Sequence, residues 1–161
     1  MNDSLIKLTA NKLAIIELLN QFGIAIDLRD WDSFRGLFAD SVQFDYSSIG
    51  EVAGILQPDD IANTARQDLG GFEVTQHLIT NHLIEIEENT ATCNAHVRAM
   101  HLLPNETREP LLEIGGYYTA GLICLNSNWK IKSWKFSILW SRGDFELFNM
   151  AKEKGQKARK I

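Results

Sequence analysis

Between them, Asp27, Tyr46, His77 and His101 could move a proton. His101 is the one whose direction is legible. From Ala91 onward, Ala91, Cys93, Ala95, Val97, Ala99, His101 and Leu103 share one parity, while Thr92, Asn94, His96 and Arg98 share the other. Period-two alternation marks a strand with one face buried and one wet, so His101 is expected inward and His96 outward. An inward histidine needs a partner, and Asp27, on the flank of the first helix's apolar stripe, is expected to supply it. A surface position near the helix end is the alternative for Asp27, as a structural histidine bonded to Asp27 is for His101. For His77 the alternation does not decide: Ile79 and Leu83 share its parity, but so does Glu85. His82 is expected at the surface with His96. Tyr46 shares a side with Val42 and Phe44, as a site hydroxyl or as a core aromatic.

An aspartate against an inward histidine fixes the ring's tautomer and stabilises the imidazolium, so the ring can take a proton near neutral pH. Such chemistry requires neither metal nor organic cofactor, and none is expected. His77 and His82 differ in parity and lack a local carboxylate triad, which argues against a metal site.

The elements that must position these groups follow in order. Ile15, Leu18, Leu19, Phe22 and Ile26 repeat at helical spacing, predicting a helix over 9–28 with Thr9 as N-cap. A short helix from Asp30 to about Phe38 and a strand over 42–46 come next. Turn residues at 47–51 lead to a return strand over 52–56. Pro58-Asp59-Asp60 opens a third helix and Gly70-Gly71 stops it. Strands are predicted at 74–88, 90–104, 111–125 and 128–140. The parity change between Ile131 and Trp134 predicts a bulge near Ser133. A final helix spans 144–154. Helices followed by long bent strands make an α+β architecture, with a pocket at the open end of a curved sheet.

The chain has 161 residues, 45% apolar and 23% charged, as expected of one globular domain. A formal charge of −5 argues against a nucleic-acid partner. Cys93 and Cys124 are expected as buried free thiols. The basic run Lys152–Lys160 is expected as a solvated tail. No secretory leader or membrane span is apparent, so a cytoplasmic location is expected.

Several separated pieces carry a family likeness: Asp27-Leu-Arg-Asp-Trp-Asp32, Phe44-Asp45-Tyr46, Thr75-Gln76-His77, His101 and Trp129-Lys130. Together they resemble the SnoaL-like branch of the nuclear-transport-factor-2-like superfamily, and within it the scytalone dehydratases. The resemblance covers about residues 10–150. It implies a cone-shaped, curved antiparallel or mixed sheet wrapped around N-terminal helices, the cystatin-like α+β barrel. The whole chain, 1–161, would be one such domain, with its core at 8–150 and a basic tail at 151–161. It also implies roles: Asp27 orients His101, and His77 and Tyr46 hold a water near the substrate carbonyl. Thr119 stands where the family has a serine, Ile26 where it has a second tyrosine, and Gly121 where it has a substrate-contacting asparagine. Phe145 and Arg142 would close the pocket.

The expected activity is a dehydratase-type lyase acting on a small apolar cyclic hydroxy-ketone or polyketide-like molecule. A cyclase or isomerase in the same pocket and a non-catalytic binding module are the alternatives. The outer sheet face, with Arg98, Met100, Leu102 and the tryptophans, predicts a homodimer or homotrimer.

Overall fold

A computed structural model describes residues 3–158. Its helices are α1 (Asp3–Asp27), α2 (Trp31–Arg35), α3 (Pro58–Leu69) and α4 (Glu146–Ala158). Its strands are β1 (Phe38–Asp45), β2 (Ala53–Leu56), β3 (Val74–Glu87), β4 (Thr90–Leu102), β5 (Leu111–Leu125) and β6 (Asn128–Arg142). The strands form one mixed sheet in the order β2-β1-β6-β5-β4-β3. All neighbours are antiparallel except β1 and β6, which run parallel. The architecture is the α+β one expected.

The sheet's inner face carries the core. Along β4 the predicted alternation holds, with Ala91, Cys93, Ala95, Val97, Ala99 and His101 buried. Along β5 the even positions Leu112, Ile114, Tyr118, Ala120 and Leu122 face the same way and are buried. Helix α1 lays Ile15, Leu18, Leu19, Phe22 and Ile26 against this face. At the centre the Phe22 ring stacks on Trp134, with centroids 4.0 Å apart.

Irregularities decide which side chains face inward. The β5–β6 register shifts between Gly121 and Leu122, whose partners are Ser133 and Ile131, so Lys132 is the extra residue of the bulge expected near Ser133. A second shift between Gly115 and Gly116 bypasses Leu139. Beyond it Trp140 turns to the outer face, where it is 45% exposed, while Trp134 and Trp129 are buried. The outer-face expectation is thereby corrected for these two tryptophans. In β3 the register shifts between Thr80 and Leu83, and Asn81 takes a left-handed φ of 57°. This bulge inverts the strand's parity, putting Ile79 and Ile84 in the core and Leu83 at 65% exposure. It explains why simple alternation could not orient His77.

Other local differences have plain causes. Helix α1 begins at Asp3, and Thr9 lies inside it, donating to Leu5 O rather than capping. Asp30 does cap α2, accepting from Ser33 N at 3.0 Å. The basic segment expected as a tail from residue 151 continues helix α4 through Ala158. There Ala151 is fully buried, and Lys152 pairs with Asp68 at 3.1 Å and Glu51 at 3.8 Å. The remaining residues of that run lie outside the described residues.

Candidate functional site

Where α1 ends, its last turn meets the start of β3. The helix terminates in a Schellman arrangement: Asp30 N donates to Ala25 O at 2.9 Å and Arg29 N to Ile26 O at 3.0 Å, with Arg29 left-handed at φ 61°. This turn fixes Asp27 with its carboxylate toward β3. Oδ2 accepts from His77 N at 2.7 Å; Oδ1 accepts from Thr75 Oγ1 at 2.9 Å and lies 2.7 Å from His77 Nδ1. A carboxylate only accepts, so His77 carries its proton on Nδ1 and its Nε2 is left as the acceptor. Gly23, one turn back, gives β3 room to approach: a Cβ there would lie 3.1 Å from His77 Cβ.

The histidine partner of Asp27 is therefore His77, not His101. Both project from the inner face, on neighbouring strands where Thr75 pairs with His101 and His77 with Ala99. The end of α1 lands on β3, which puts His77 first in line. His101 is 3% exposed, with Nδ1 3.4 Å from Leu112 O. Its ring stands edge-on to His77, centroids 5.7 Å apart, and packs against Phe72 and Phe148. Burial, reinforced by the neighbouring His77, pushes its imidazole down to about 3, so at neutral pH this ring is uncharged. For Asp27, burial would raise the carboxyl. The hydrogen bonds from the His77 ring and backbone N–H, the electrostatics of that ring and the Thr75 hydroxyl outweigh it and hold the group below its ordinary value.

These groups open onto a cavity of about 280 Å³ beneath α3 and α4. Its walls are mostly apolar, with Ile26, Phe44, Ile61, Ile114, Phe136 and Phe148 among them. Tyr46 and Tyr118 place phenols in the same space. Trp134 Nε1 donates to the Tyr46 hydroxyl oxygen at 3.3 Å, and Tyr118 bonds the same oxygen. Burial pushes Tyr46 up to about 12 and Tyr118 well above its ordinary value, so both stay neutral donors. The Tyr46 hydroxyl thus accepts from the indole and pairs with the Tyr118 hydroxyl in the cavity wall. Glu51, Asp68 and Asn149 mark the rim, where Lys152 pairs with both acids.

The expected substrate-contacting residues divide. Ile26 and Phe145 line the cavity; Thr119 and Gly121 do not. Both have odd parity on β5 and so face outward. Thr119 Oγ1 donates to Asn94 Oδ1 on the outer face, and Gly121 N donates to Ser133 Oγ at the bulge. Arg142 is exposed at the end of β6 rather than in the cavity wall. His96 is exposed, whereas His82 is half-buried, with a buried Nε2 that has no hydrogen-bond partner; desolvation lowers its pKa. Sequence reasoning missed Tyr118, though its even parity among buried neighbours could have found it. It also missed Arg29 and the Thr75 hydroxyl, for which no periodic signal exists. Among the described residues no cluster of His, Cys, Asp or Glu could hold a metal ion. No helix there is long and apolar enough to cross a membrane.

Comparison with known proteins finds relatives in sequence and in fold. A family model described as a SnoaL-like domain matches residues 8–135. The protein Kfla4162 of Kribbella flavida is 26% identical, with a TM-score of 0.79, covering 84% of this chain and 95% of that one. A hexachlorocyclohexane dehydrochlorinase (LinA) of type 2 is 17% identical, TM-score 0.74, over 86% and 92% of the two chains. A provisionally named scytalone dehydratase of Novosphingobium aromaticivorans is 18% identical, TM-score 0.72, over 84% and 89%.

Proposed function

The chain belongs to the SnoaL-like family of the nuclear-transport-factor-2-like superfamily, and from there we propose that it is a cofactor-independent, dehydratase-type lyase. The observation that carries this reading is the 2.7 Å contact of His77 Nδ1 with Asp27, set at the head of a mostly apolar cavity that is also lined by Tyr46 and Tyr118. The dehydrochlorinase and dehydratase names borne by fold neighbours are consistent with elimination chemistry. The substrate class is a small, neutral, mostly apolar β-hydroxy ketone of one or two rings, because the walls are mostly apolar and Lys152 is already paired with Glu51 and Asp68 at the rim.

In this reading His77 Nε2 removes the proton alpha to the carbonyl. Asp27 stabilises the imidazolium that forms. Tyr46 donates to the developing enolate oxygen, with Trp134 and Tyr118 holding its own oxygen. The enolate then collapses, the C–O bond to the β-hydroxyl breaks, and the leaving hydroxyl takes the proton back from His77 as water. His101 is the neutral wall that keeps the His77 ring edge-on.

The deciding experiment offers a panel of bicyclic hydroxy-ketones to wild type, Asp27→Asn and His77→Gln. Binding is read by thermal shift and loss of water by mass spectrometry. Turnover should fall by about 10²–10⁴ in both variants while binding survives. Tight binding without chemistry in any of the three would make the chain a binding module, and rearrangement without loss of water would make it an isomerase or cyclase.

We further propose self-association through the outer sheet face, supported by exposed Leu78, Tyr117, Leu139 and Trp140.

A further inference from the structure

The donor that serves Asp27 has no choice of direction. Thr75 Oγ1 lies 2.7 Å from Arg29 Nη1 and 2.9 Å from Asp27 Oδ1. A guanidinium only donates, so the hydroxyl accepts from Arg29 and turns its single proton onto Asp27. The same Nη1 donates to Ile26 O at 2.7 Å, and Nη2 to Phe72 O at 3.3 Å. One guanidinium thus ties the last turn of α1 to the approach of β3, from which both Thr75 and His77 project.

The backbone adds a second, independent observation. Arg29 sits at the left-handed position that closes the helix, with φ 61°, a place where glycine is the usual residue because a Cβ is unfavourable there. An arginine forfeits that ease of helix termination. Its three donated hydrogen bonds, one of them to the residue that serves Asp27, are what its side chain gives in return.

We propose that Arg29 is a positioning residue for the Asp27–His77 pair, acting through the Thr75 hydroxyl. It fixes that hydroxyl as a donor, the hydroxyl holds Oδ1 of Asp27 in place, and the carboxylate keeps the His77 proton on Nδ1. The role in turnover rests on the lyase reading above; the positioning itself does not.

The test uses the full chain labelled with ¹⁵N-histidine and ¹³C-aspartate, as wild type, Arg29→Gly, Arg29→Lys, Thr75→Val and the Arg29→Gly/Thr75→Val double variant. Glycine suits the backbone at 29, so Arg29→Gly is expected to fold. Thr75→Val keeps Arg29's bonds to both carbonyls and removes only the relay. Wild type should show a single, slowly exchanging His77 Nδ1–H resonance. That resonance should broaden or vanish in Arg29→Gly and in Thr75→Val, and Arg29→Lys should restore part of it. On a turned-over substrate kcat should fall about 10²-fold with KM within about twofold, as expected of small misplacements. The double variant should be no worse than either single one, because the two act along one path.

If Arg29→Gly and Thr75→Val lower the melting temperature but leave the His77 resonance as in wild type, Arg29 merely pins helix to strand and the proposal fails. A turnover lost in Asp27→Asn yet unchanged in Thr75→Val also overturns it while the lyase reading stands. Should wild type turn over nothing, the resonances still decide the positioning, and the lyase reading alone falls.

Discussion

Burial pushes the His101 imidazole down to about 3 from an ordinary value of 6.5, and the sign of the consequence is fixed. Between those two values the unfolded chain binds a proton that the folded chain refuses, so stability rises with pH across that window. It is fully present above 6.5 and drains away as pH falls toward 3. Asp27 works lower down: its depressed carboxyl contributes stability above the ordinary 3.8, lost as pH falls through its folded value. Urea denaturation of His101→Gln at several pH values should therefore give a flatter curve between 6.5 and about 4 than wild type, with the steeper fall below that retained. Tyr46→Phe should keep ligand binding and lower kcat about 10²-fold, the scale of one lost oxyanion donor; an unchanged kcat would remove Tyr46 from the reaction. The inward direction of His101 was readable because β4 alternates without interruption. The partner of Asp27 was not, because periodicity gives the face of a strand and not which strand a helix end meets. Thr119 and Gly121 followed from likeness alone, and their odd parity on β5 already set them apart from the buried even positions.

Helix α4 closes the cavity from above, and its seat is unusually close. A Cβ on Gly71 would lie 1.8 Å from Ala151 O, so α4 rests on bare backbone at the loop between α3 and β3. Phe148 then reaches Phe72 and His101 with ring centroids 5.4 and 5.2 Å away. Gly71→Ala should lift the helix, costing about 1–3 kcal/mol as overpacking does. Thermal denaturation would register it, together with weaker ligand binding; an unchanged melting temperature would mean that α4 shifts freely. The four long strands and α3 were legible from alternation, turn residues and proline placement. The start of α1 and the end of α4 were not: the first turns of α1 carry Leu5, Ile6 and Leu8, which stay exposed and stand outside the buried stripe, while the end of α4 runs through polar residues and is carried by tertiary contacts such as Lys152 with Asp68.

Across the whole molecule, the outer sheet face stands out for its exposed apolar side chains, Leu78, Tyr117, Leu139 and Trp140. Arg98 bonds the buried Glu113 at 2.6 Å and lies 6.0 Å from the centre of the Trp140 ring, while Leu139 stands 66% exposed beside them. Leu139→Lys should shift sedimentation at micromolar concentration toward monomer while leaving the cavity intact; a wild type that is already monomeric would dismiss the proposed self-association. The parallel contact of β1 with β6 has a different kind of consequence. It joins Phe44 to Trp134, about 90 residues apart in sequence, whereas β3 to β6 join neighbour to neighbour, through short turns and the one loop at 103–110. Loop-closure entropy slows distant pairings, so in refolding the β3–β6 meander should gain amide protection first and the β1–β2 hairpin last. Until that last step Phe44 and Tyr46 lack their strand's place beside β6, and the cavity has an open side. Recovery of ligand binding should then lag behind recovery of β-structure, and its rate should follow the final docking of β1.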